Sequence, residues 1–282
     1  MTRNLMIGAF GGYTWNQIAP WVKSLNQSGF KGEKVMIVFD ASYETVQKLF
    51  DNDFKAIVFD RDEGKKIVSY KSALKIHIER FYFIHKYLLE TWKNYDYVLT
   101  TDVRDIIFQT DPAKWLSDNL GDKKLVAGGE SIRFRDEPWN RQNLFETYGA
   151  GLYDLFKDNE VYNVGTLGGT SEAMKDLALH IFSASVNRQI PIVDQATFNV
   201  LIQSPPIKDL VKFARASDGW ACQAGVSVDP SKIEHFRPFL MDKEPLFENG
   251  VVKTAEGKIY SIVHQYDRVP SWNEYFVRKY AD

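Results

Sequence analysis

The chain has 282 residues, of which 44% are hydrophobic and 26% charged, and its formal net charge at pH 7 is -2. This much apolar material builds a sizeable core and excludes a wholly disordered chain. The near-neutral charge, spread along the chain, argues against a dedicated nucleic-acid binder, and the single cysteine, Cys222, excludes a disulfide framework and any cysteine-based metal cluster.

The N-terminal apolar stretch is short. It covers residues 5–10, and polar residues follow from Tyr13 onwards, so it is too short for a signal peptide. No window approaches the roughly 20 apolar residues of a membrane span. We therefore expect a cytoplasmic protein without a transmembrane segment, in a reducing compartment.

Strand-like and helix-like segments alternate through the N-terminal half. Strands are predicted over residues 5–10, 35–39, 56–59 and 97–100. Helices are predicted over residues 15–25, 43–50 and 72–92. Strands that are apolar throughout and separated by helices indicate a mainly parallel sheet covered on both faces. Ligands of such sheets bind beyond the carboxyl ends of the strands.

The second half is more mixed. Strands are predicted over residues 125–127, 162–165 and 259–263, and helices over 177–185 and 195–202. Residues 133–141 are charged and contain Pro138, so they are interpreted as a loop. No linker or internal repeat divides the chain. We therefore predict one α/β domain with a mixed, mainly parallel central sheet.

The most informative segment is Asp102-Val103-Arg104-Asp105, which directly follows a predicted buried strand. Carboxylate oxygens suit hard divalent cations, and a strand end holds them rigidly. The alternative is a turn in which Asp105 caps or pairs with Arg104. The following Thr110-Asp111-Pro112 is a predicted turn.

A late histidine complements these carboxylates. His264 follows a predicted strand, and Arg268 comes shortly after it. Imidazole completes an Asp/His site for Mn²⁺, and a guanidinium pairs with a diphosphate. His77 and His85 on the long helix are interpreted as structural.

Two further segments offer amide groups. Asn163-Val164-Gly165 lies on a predicted strand and combines an amide with room for a ligand. The alternative is an ordinary strand followed by a Gly168-Gly169 turn. Asp194-Gln195 begins a predicted helix, where helix capping by Asp194 is the alternative.

The order of these segments resembles the GT-A class of nucleotide-sugar glycosyltransferases, and within it the glycogenin and lipopolysaccharide-galactosyltransferase family. That family has an acidic metal motif after a strand, an Asn-x-Gly strand, an Asp-Gln helix start, and a late His followed by Pro and Trp. The equivalents here are Asp102/Asp105, Asn163-Val164-Gly165, Asp194-Gln195 with Asn199, and His264 with Pro270 and Trp272. The acidic motif is one residue longer than the family's Asp-x-Asp. Counted back from the Asp-Pro turn, Asp105 takes the place of the second Asp. Residues 101–109 are also similar to soluble transferases of large algal viruses.

The resemblance implies a single GT-A-like (Rossmann-like) domain over residues 1–282. Residues 1–110 form its nucleotide-binding half and residues 111–282 its acceptor-binding half. The donor is then a nucleotide sugar, most simply a UDP-sugar, and the acceptor is a hydroxyl of a glycan or glycoprotein. The cofactor is Mn²⁺ or Mg²⁺, held by Asp102, Asp105 and His264. Resemblance to this family favours retention of the anomeric configuration.

The resemblance also assigns donor contacts. The first strand end holds the base and ribose with Tyr13 stacking, and Asp40 contacts the uracil or ribose. Arg80 faces the donor, unless it is a solvated surface charge. The full set of expected donor contacts is Ala9, Phe10, Gly11, Tyr13, Asp40, Arg80, Asp102, Arg104, Asn163, Gln195 and Arg268. Asn163 and Gln195 bind sugar hydroxyls, Arg268 assists the diphosphate, and Arg104 assists it or only orients the carboxylates.

Three carboxylates are candidates for catalysis near the acceptor or donor sugar. Asp194 is the first choice, Glu130 the second and Asp218 the third, with Trp220 beside Asp218 as a sugar-stacking platform. An inverting route needs such a base within hydrogen-bond reach of the acceptor hydroxyl. In a retaining route the leaving diphosphate can accept the proton.

Two other functions compete with this interpretation. Residues 56–64 resemble the opening of haloacid-dehalogenase-type phosphatases, with Asp60 as nucleophile and Asp62 as acid/base. A carbohydrate-binding or nucleotide-sugar-binding homologue without catalysis is the other alternative.

Overall fold

The first strands of the chain are apolar on both sides, so they form the centre of a sheet that is buried on both faces. The computed structural model describes residues 3–70 and 74–281. Its strands are β1 (Asn4–Gly11), β2 (Glu33–Ser42), β3 (Lys55–Val58), β4 (Asp60–Asp62), β5 (Ile67–Ser69), β6 (Tyr97–Thr101), β7 (Ile106–Phe108), β8 (Leu125–Arg133), β9 (Glu160–Thr170), β10 (Val211–Ala214), β11 (Ala221–Gln223), β12 (Leu246–Glu248), β13 (Val251–Lys253) and β14 (Ile262–His264). Its helices are α1 (Trp15–Gln27), α2 (Tyr43–Asp51), α3 (Ile76–Thr91), α4 (Pro112–Asn119), α5 (Pro138–Phe156), α6 (Ser171–Ser185), α7 (Asp194–Ile202), α8 (Ala224–Ser227), α9 (Ile233–Phe236) and α10 (Pro270–Lys279).

The central sheet has the strand order β10-β8-β9-β6-β1-β2-β5-β4, with β3 also paired to β2. Strands β6, β1, β2 and β3 run parallel to their neighbours in this group. Strand β9 runs antiparallel to both β6 and β8. The predicted α/β fold with a mixed central sheet is confirmed.

Helices cover both faces of this sheet. Successive side chains of a strand point to opposite faces. On β1, Met6 and Phe10 pack in a core cluster with Trp21 of α1. Leu5 and Ile7 pack in a separate cluster on the other face, together with buried residues of α3 and α6. Among the helices within 3–70 and 74–281, none has the length and apolar character needed to cross a membrane.

The N-terminal half agrees closely with the sequence prediction. The four predicted strands correspond to β1, β2, β3 and β6, and the first two predicted helices to α1 and α2. The predicted helix 72–92 corresponds to α3, Ile76–Thr91. Its predicted first residues, 72 and 73, lie outside the described residues.

Two predictions in the second half are wrong. Residues 133–141 are not a loop, because β8 runs to Arg133 and α5 begins at Pro138. Proline suits the first helical position, where no intrahelical amide donor is needed, and the Glu137 side chain accepts a hydrogen bond from the Asn140 amide at 2.6 Å. Gly168 and Gly169 lie inside β9 rather than in a turn. A Cβ at Gly169 would approach the carbonyl oxygen of Lys124 to 2.3 Å.

A second, three-stranded sheet with the order β11-β14-β7 stands beside the central one. Strand β14 pairs antiparallel with β7, and His264 lies opposite Ile106. This register brings the end of β14 next to Asp105, which precedes β7. The predicted strand 259–263 is therefore present as β14, but shifted toward His264.

Candidate functional site

Three potential metal ligands meet where the two sheets adjoin. Asp102 follows β6, Asp105 precedes β7 and His264 ends β14. One ligand atom from each lies within 4.8 Å of the others. The Nε2 atom of His264 is 3.5 Å from Asp102 Oδ2 and 3.7 Å from Asp105 Oδ2. The sequence separates these residues by up to 162 positions, and the strand register alone brings them together.

Hydrogen bonds through Gln223 and Thr166 set the orientation of the His264 ring. Its Nδ1 atom lies 2.7 Å from Gln223 Oε1, and Gln223 Nε2 donates to Thr166 Oγ1 at 3.2 Å. An amide oxygen only accepts, so Nδ1 carries a proton, and Nε2 presents a lone pair in the neutral form of the ring. This buried Nε2 has no hydrogen-bond partner among the described residues. A divalent cation fits such a neutral imidazole facing two carboxylates.

Burial and charge act against each other on these groups. Burial by itself would raise the pKa of Asp102, but Arg80 and His264 outweigh it and hold that pKa well below its usual range. Burial raises the pKa of Asp105, although His264 opposes the shift. Burial would lower the pKa of His264, but Asp105 and Asp102 reverse the shift. The two neighbouring carboxylates repel each other, and a bound dication would stabilise them.

Arg80 of α3 connects the carboxylates on the two sides of the site. Its guanidinium pairs with Asp102 Oδ1 through Nη1, and with Asp194 Oδ2 through Nη2 at 3.1 Å. The Arg80 side chain is buried, so the alternative of a solvated surface charge is wrong. Asp194 is the first residue of α7 and follows the N-cap residue, Val193. It pairs with Arg80 instead of capping the helix.

A buried carboxylate organises the amides beside Asp194. Glu130 of β8 accepts hydrogen bonds from Asn163 at 2.7 Å, Gln195 at 3.0 Å and Asn140 at 3.2 Å. Gln195 also donates to Asn140 Oδ1 at 2.8 Å. Burial raises the pKa of Glu130, while the amide donors oppose the shift. Glu130 thereby fixes the orientation of three amides that face one cavity.

Two cavities meet at this cluster. The first, of about 390 Å³, is lined by the predicted metal ligand Asp105 and by most of the predicted donor contacts: Ala9, Phe10, Gly11, Tyr13, Arg80, Asp102, Arg104 and Arg268. The second, of about 360 Å³, is lined by the amide cluster and its surroundings: Arg80, Asp102, Glu130, Asn140, Asn163, Asp194, Gln195, His264 and Arg268. The metal-ligand candidates thus border both cavities.

The remaining predicted residues lie elsewhere. Asp40 ends up exposed on β2 and lines neither cavity, although its carbonyl oxygen accepts from the Gly12 amide at 2.8 Å. The Asp218 carboxylate accepts from the Arg215 amide at 2.9 Å, outside both cavities. Trp220 is fully buried, so its prediction as a stacking platform is wrong. Its indole donates to the Thr166 carbonyl at 3.1 Å.

The pairing predicted as an alternative for Asp105 is also absent. Arg104 pairs instead with Asp267, 3.1 Å from its Nη2 atom. The Arg104 guanidinium also lies 6.0 Å from the centre of the Tyr13 ring. Tyr13 itself stacks on Phe10, with ring centres 6.2 Å apart. The first cavity therefore combines aromatic rings with basic side chains.

Sequence reasoning missed several residues at this site. His77, which was interpreted as structural, lines both cavities. Trp139 and Asn140 lie in the segment that was interpreted as a loop, and neither was assigned a role. They are at the start of α5 and line the second cavity. Proline is common at the first position of a helix, so Pro138 was the one sequence signal for the start of α5. Gln223 carried no local signal, because its role depends on β11 pairing with β14.

Gly165 leaves space for a carboxylate. A Cβ at this position would come within 2.6 Å of Asp102 Oδ2 and 2.9 Å of Asn163 Oδ1. The room predicted at Asn163-Val164-Gly165 is therefore occupied by a side chain of the metal-ligand cluster.

The phosphatase alternative finds no support in this geometry. Asp60 and Asp62 lie on β4, in a hairpin with β5 at the sheet edge. Asp62 accepts from the Lys65 amide at 3.1 Å. Neither carboxylate lines either of the two cavities described above.

Comparison with known proteins places the fold. No protein-family model and no curated protein sequence matches the chain, so membership of the glycogenin and lipopolysaccharide-galactosyltransferase family stays a prediction. Among solved structures, the glycosyltransferase GlyE of Streptococcus pneumoniae superposes with a TM-score of 0.55 and 15% identity over 99% of this chain. Mouse xyloside xylosyltransferase 1 superposes with a TM-score of 0.52 and 14% identity over 93% of this chain and 97% of its own. This chain spans 63% of the length of GlyE. It has the GT-A-like α/β fold of these glycosyltransferases.

Proposed function

We propose that this protein is a metal-dependent glycosyltransferase that moves a sugar from a UDP-sugar to a hydroxyl of a glycan or glycoprotein. The observation that carries the proposal is the cluster of Asp102, Asp105 and His264 at the junction of two cavities. A metal at this junction would lie between a nucleotide in one cavity and a sugar in the other. The fold shared with known glycosyltransferases supports it.

The first cavity suits the nucleotide. The stacked rings of Phe10 and Tyr13 offer an apolar surface for the base, and Arg104 and Arg268 offer positive charge for the diphosphate. Apart from Arg268, its lining residues come from residues 9–105. This supports residues 1–110 as the nucleotide-binding half and residues 111–282 as the acceptor-binding half.

The second cavity suits the donor sugar and the acceptor. Asn163 and Gln195 are held by Glu130 and can exchange hydrogen bonds with hydroxyl groups. Glu130 already accepts three amide hydrogen bonds, so its role is to position these amides. Asp194 remains the proposed carboxylate beside the sugar, held in place by Arg80.

The reaction breaks the bond between the anomeric carbon and the diphosphate oxygen and forms a bond to the acceptor oxygen. The acceptor hydroxyl loses its proton, and in the proposed retaining route the leaving diphosphate accepts it. A bound Mn²⁺ or Mg²⁺ supplies Lewis-acid neutralisation of the charge that develops on the diphosphate. Arg268 adds positive charge at the same junction, and the buried Arg80 holds Asp102 and Asp194 in place during the reaction.

The test is a screen of UDP-glucose, UDP-galactose, UDP-xylose and their N-acetyl analogues for Mn²⁺-dependent release of UDP. We expect turnover of one donor, loss of turnover in excess chelator, and at least about a hundredfold loss in Asp105→Asn. Asp118→Asn, at an exposed carboxylate that pairs with Lys114, is the matched control and should keep the wild-type rate.

Three results would count against the proposal. Calorimetry that finds no binding of UDP, GDP or ADP in the presence of Mn²⁺ would refute it. Full turnover in chelator would refute the metal dependence. Tight UDP binding without turnover of any donor would favour the non-catalytic homologue instead.

A further inference from the structure

The indole of Trp139 stands exposed at the second cavity. Trp139 is the second residue of α5, and 48% of its surface is accessible to solvent. It lines the second cavity but not the first. No aromatic ring contact and no hydrogen bond of its indole N–H occurs within the part of the chain that the structure describes. Ligand pockets typically combine aromatic side chains with a few well-placed polar groups, so a ring beside this cavity is a candidate contact for a ligand.

The start of α5 joins this ring rigidly to the polar part of the cavity. The next residue, Asn140, is buried and donates to Glu130 at 3.2 Å. Asn140 also accepts from Gln195 at 2.8 Å. The position of Trp139 is therefore tied to the same network that orients the amides.

A second apolar side chain stands beside the same cavity. Ile192 is 38% exposed and lines the second cavity. Asn143, one turn after Trp139 on α5, donates to the Ile192 carbonyl at 2.6 Å. This hydrogen bond fixes the segment before α7 against the helix that carries Trp139. The cavity thus has apolar side chains at an exposed edge and amides and a carboxylate at its buried end.

This combination matches the chemistry of a pyranose ring. Such a ring has an apolar face of C–H groups, which packs on an aromatic plane, and an edge of hydroxyl groups, which needs hydrogen-bond partners. A nucleotide diphosphate would instead need net positive charge, whereas the second cavity is lined by the carboxylates of Asp102, Glu130, Glu137 and Asp194 against the basic side chains of Arg80, Lys232 and Arg268.

We propose that Trp139 is the stacking platform of an acceptor subsite for a pyranoside. This inference deepens the proposed function and rests on it, because it assigns the exposed part of the second cavity to the acceptor. It also replaces the platform expected at Trp220, which is buried.

The chain offers a matched control on the same helix. Phe145 of α5 is 49% exposed, much like Trp139, but its ring contacts Tyr153 and lines neither cavity. Truncating Phe145 removes a similar exposed aromatic without touching the proposed subsite. Trp139→Phe keeps a smaller aromatic plane in place.

The experiment measures saturation-transfer NMR of methyl β-D-glucopyranoside, maltose, lactose and xylobiose against the full chain with UDP and Mn²⁺. We expect at least one of these sugars to bind wild type. Trp139→Ala should bind that sugar at least about tenfold more weakly than wild type, and Trp139→Phe only a few-fold more weakly. Phe145→Ala should bind it with unchanged affinity. Thermal unfolding of each variant confirms that it is folded.

Three outcomes would overturn the inference: equal sugar affinity in Trp139→Ala and wild type, an equal loss in Phe145→Ala, or no binding of any probe to wild type. Calorimetry with UDP and Mn²⁺ on the same samples separates this failure from failure of the proposed function. If UDP binds wild type while the affinity for sugars does not depend on Trp139, only the proposed acceptor subsite is refuted.

Discussion

Gln223 determines which ring nitrogen of His264 carries the proton when the ring is neutral. Its amide oxygen accepts a hydrogen bond from Nδ1, and its amide nitrogen donates to Thr166 Oγ1. Without this partner, the ring would be free to present a protonated Nε2 to Asp102 and Asp105. Partners of this kind, one step removed from a metal, typically contribute 10–100-fold in affinity.

We therefore expect Gln223→Leu to bind Mn²⁺ about 10–100-fold more weakly than wild type, measured by calorimetry. Gln223→Glu retains an acceptor for Nδ1 and should recover most of the loss. Circular dichroism establishes that both variants are folded. If Gln223→Leu binds Mn²⁺ as tightly as wild type, Gln223 does not orient the histidine.

At the scale of elements, an irregularity in β8 shapes the strand that carries Glu130. The pairing of β8 with β9 shifts register between Gly129 and Arg133, and Ser131 has a positive φ of 58°. The Ser131 amide donates to Glu160 Oε1 at 3.1 Å. A Cβ at Gly129 would lie 2.1 Å from that same oxygen, so only glycine admits the Glu160 carboxyl here.

This arrangement predicts a pH dependence of stability. Burial raises the pKa of Glu160 from 4.5 to about 7. A carboxyl whose pKa is raised in the folded state contributes to stability at pH values below its unfolded-state pKa. That contribution is lost as the pH rises through its folded-state pKa. Relative to Glu160→Gln, wild type should lose up to about 3 kcal/mol of unfolding free energy between about pH 4.5 and pH 8.

Urea unfolding at a series of pH values measures this difference. Glu172→Gln, at an exposed position of α6, is the matched control and should follow the wild-type curve. Parallel curves for wild type and Glu160→Gln would show that Glu160 titrates normally.

At the scale of the whole molecule, we expect Asp105 to lower the stability of the metal-free fold. Asp102 and Asp105 lie together in buried surroundings, and burial raises the pKa of Asp105. Arg80 is already shared between Asp102 and Asp194. Groups of carboxylates at functional sites commonly lower stability in this way.

A bound dication should reverse this effect. At a free Mn²⁺ concentration of about 100 times Kd, binding adds about 2.7 kcal/mol to the unfolding free energy, which thermal unfolding detects as a higher Tm. Asp105→Asn should raise the Tm in chelator, because it removes a buried carboxylate, and should lose most of the gain from Mn²⁺. A Tm that Mn²⁺ leaves unchanged in wild type would contradict a metal site at this cluster.

The sequence alone was sufficient for the expected fold and for most elements of the N-terminal half, although not for the short strands β4, β5 and β7. Apolar runs such as residues 35–39 and the helical spacing behind α3 are local patterns, and local patterns reflect burial directly. The order of the motifs at Asp102, Asn163, Asp194 and His264 also pointed to the same site. Asp102 follows a strand, Asp194 begins a helix and His264 ends a strand, whereas Asn163 lies inside β9.

Only the tertiary structure decided which side chains face the cavities. Trp220 and Trp139 are the same residue type, yet one is buried against Trp115 and the other stands exposed beside the amide cluster. Gln223 owes its role to the pairing of β11 with β14. Exposure and partner choice depend on which distant element packs against a residue. That packing is a property of the whole fold, and no local pattern in the sequence contains it.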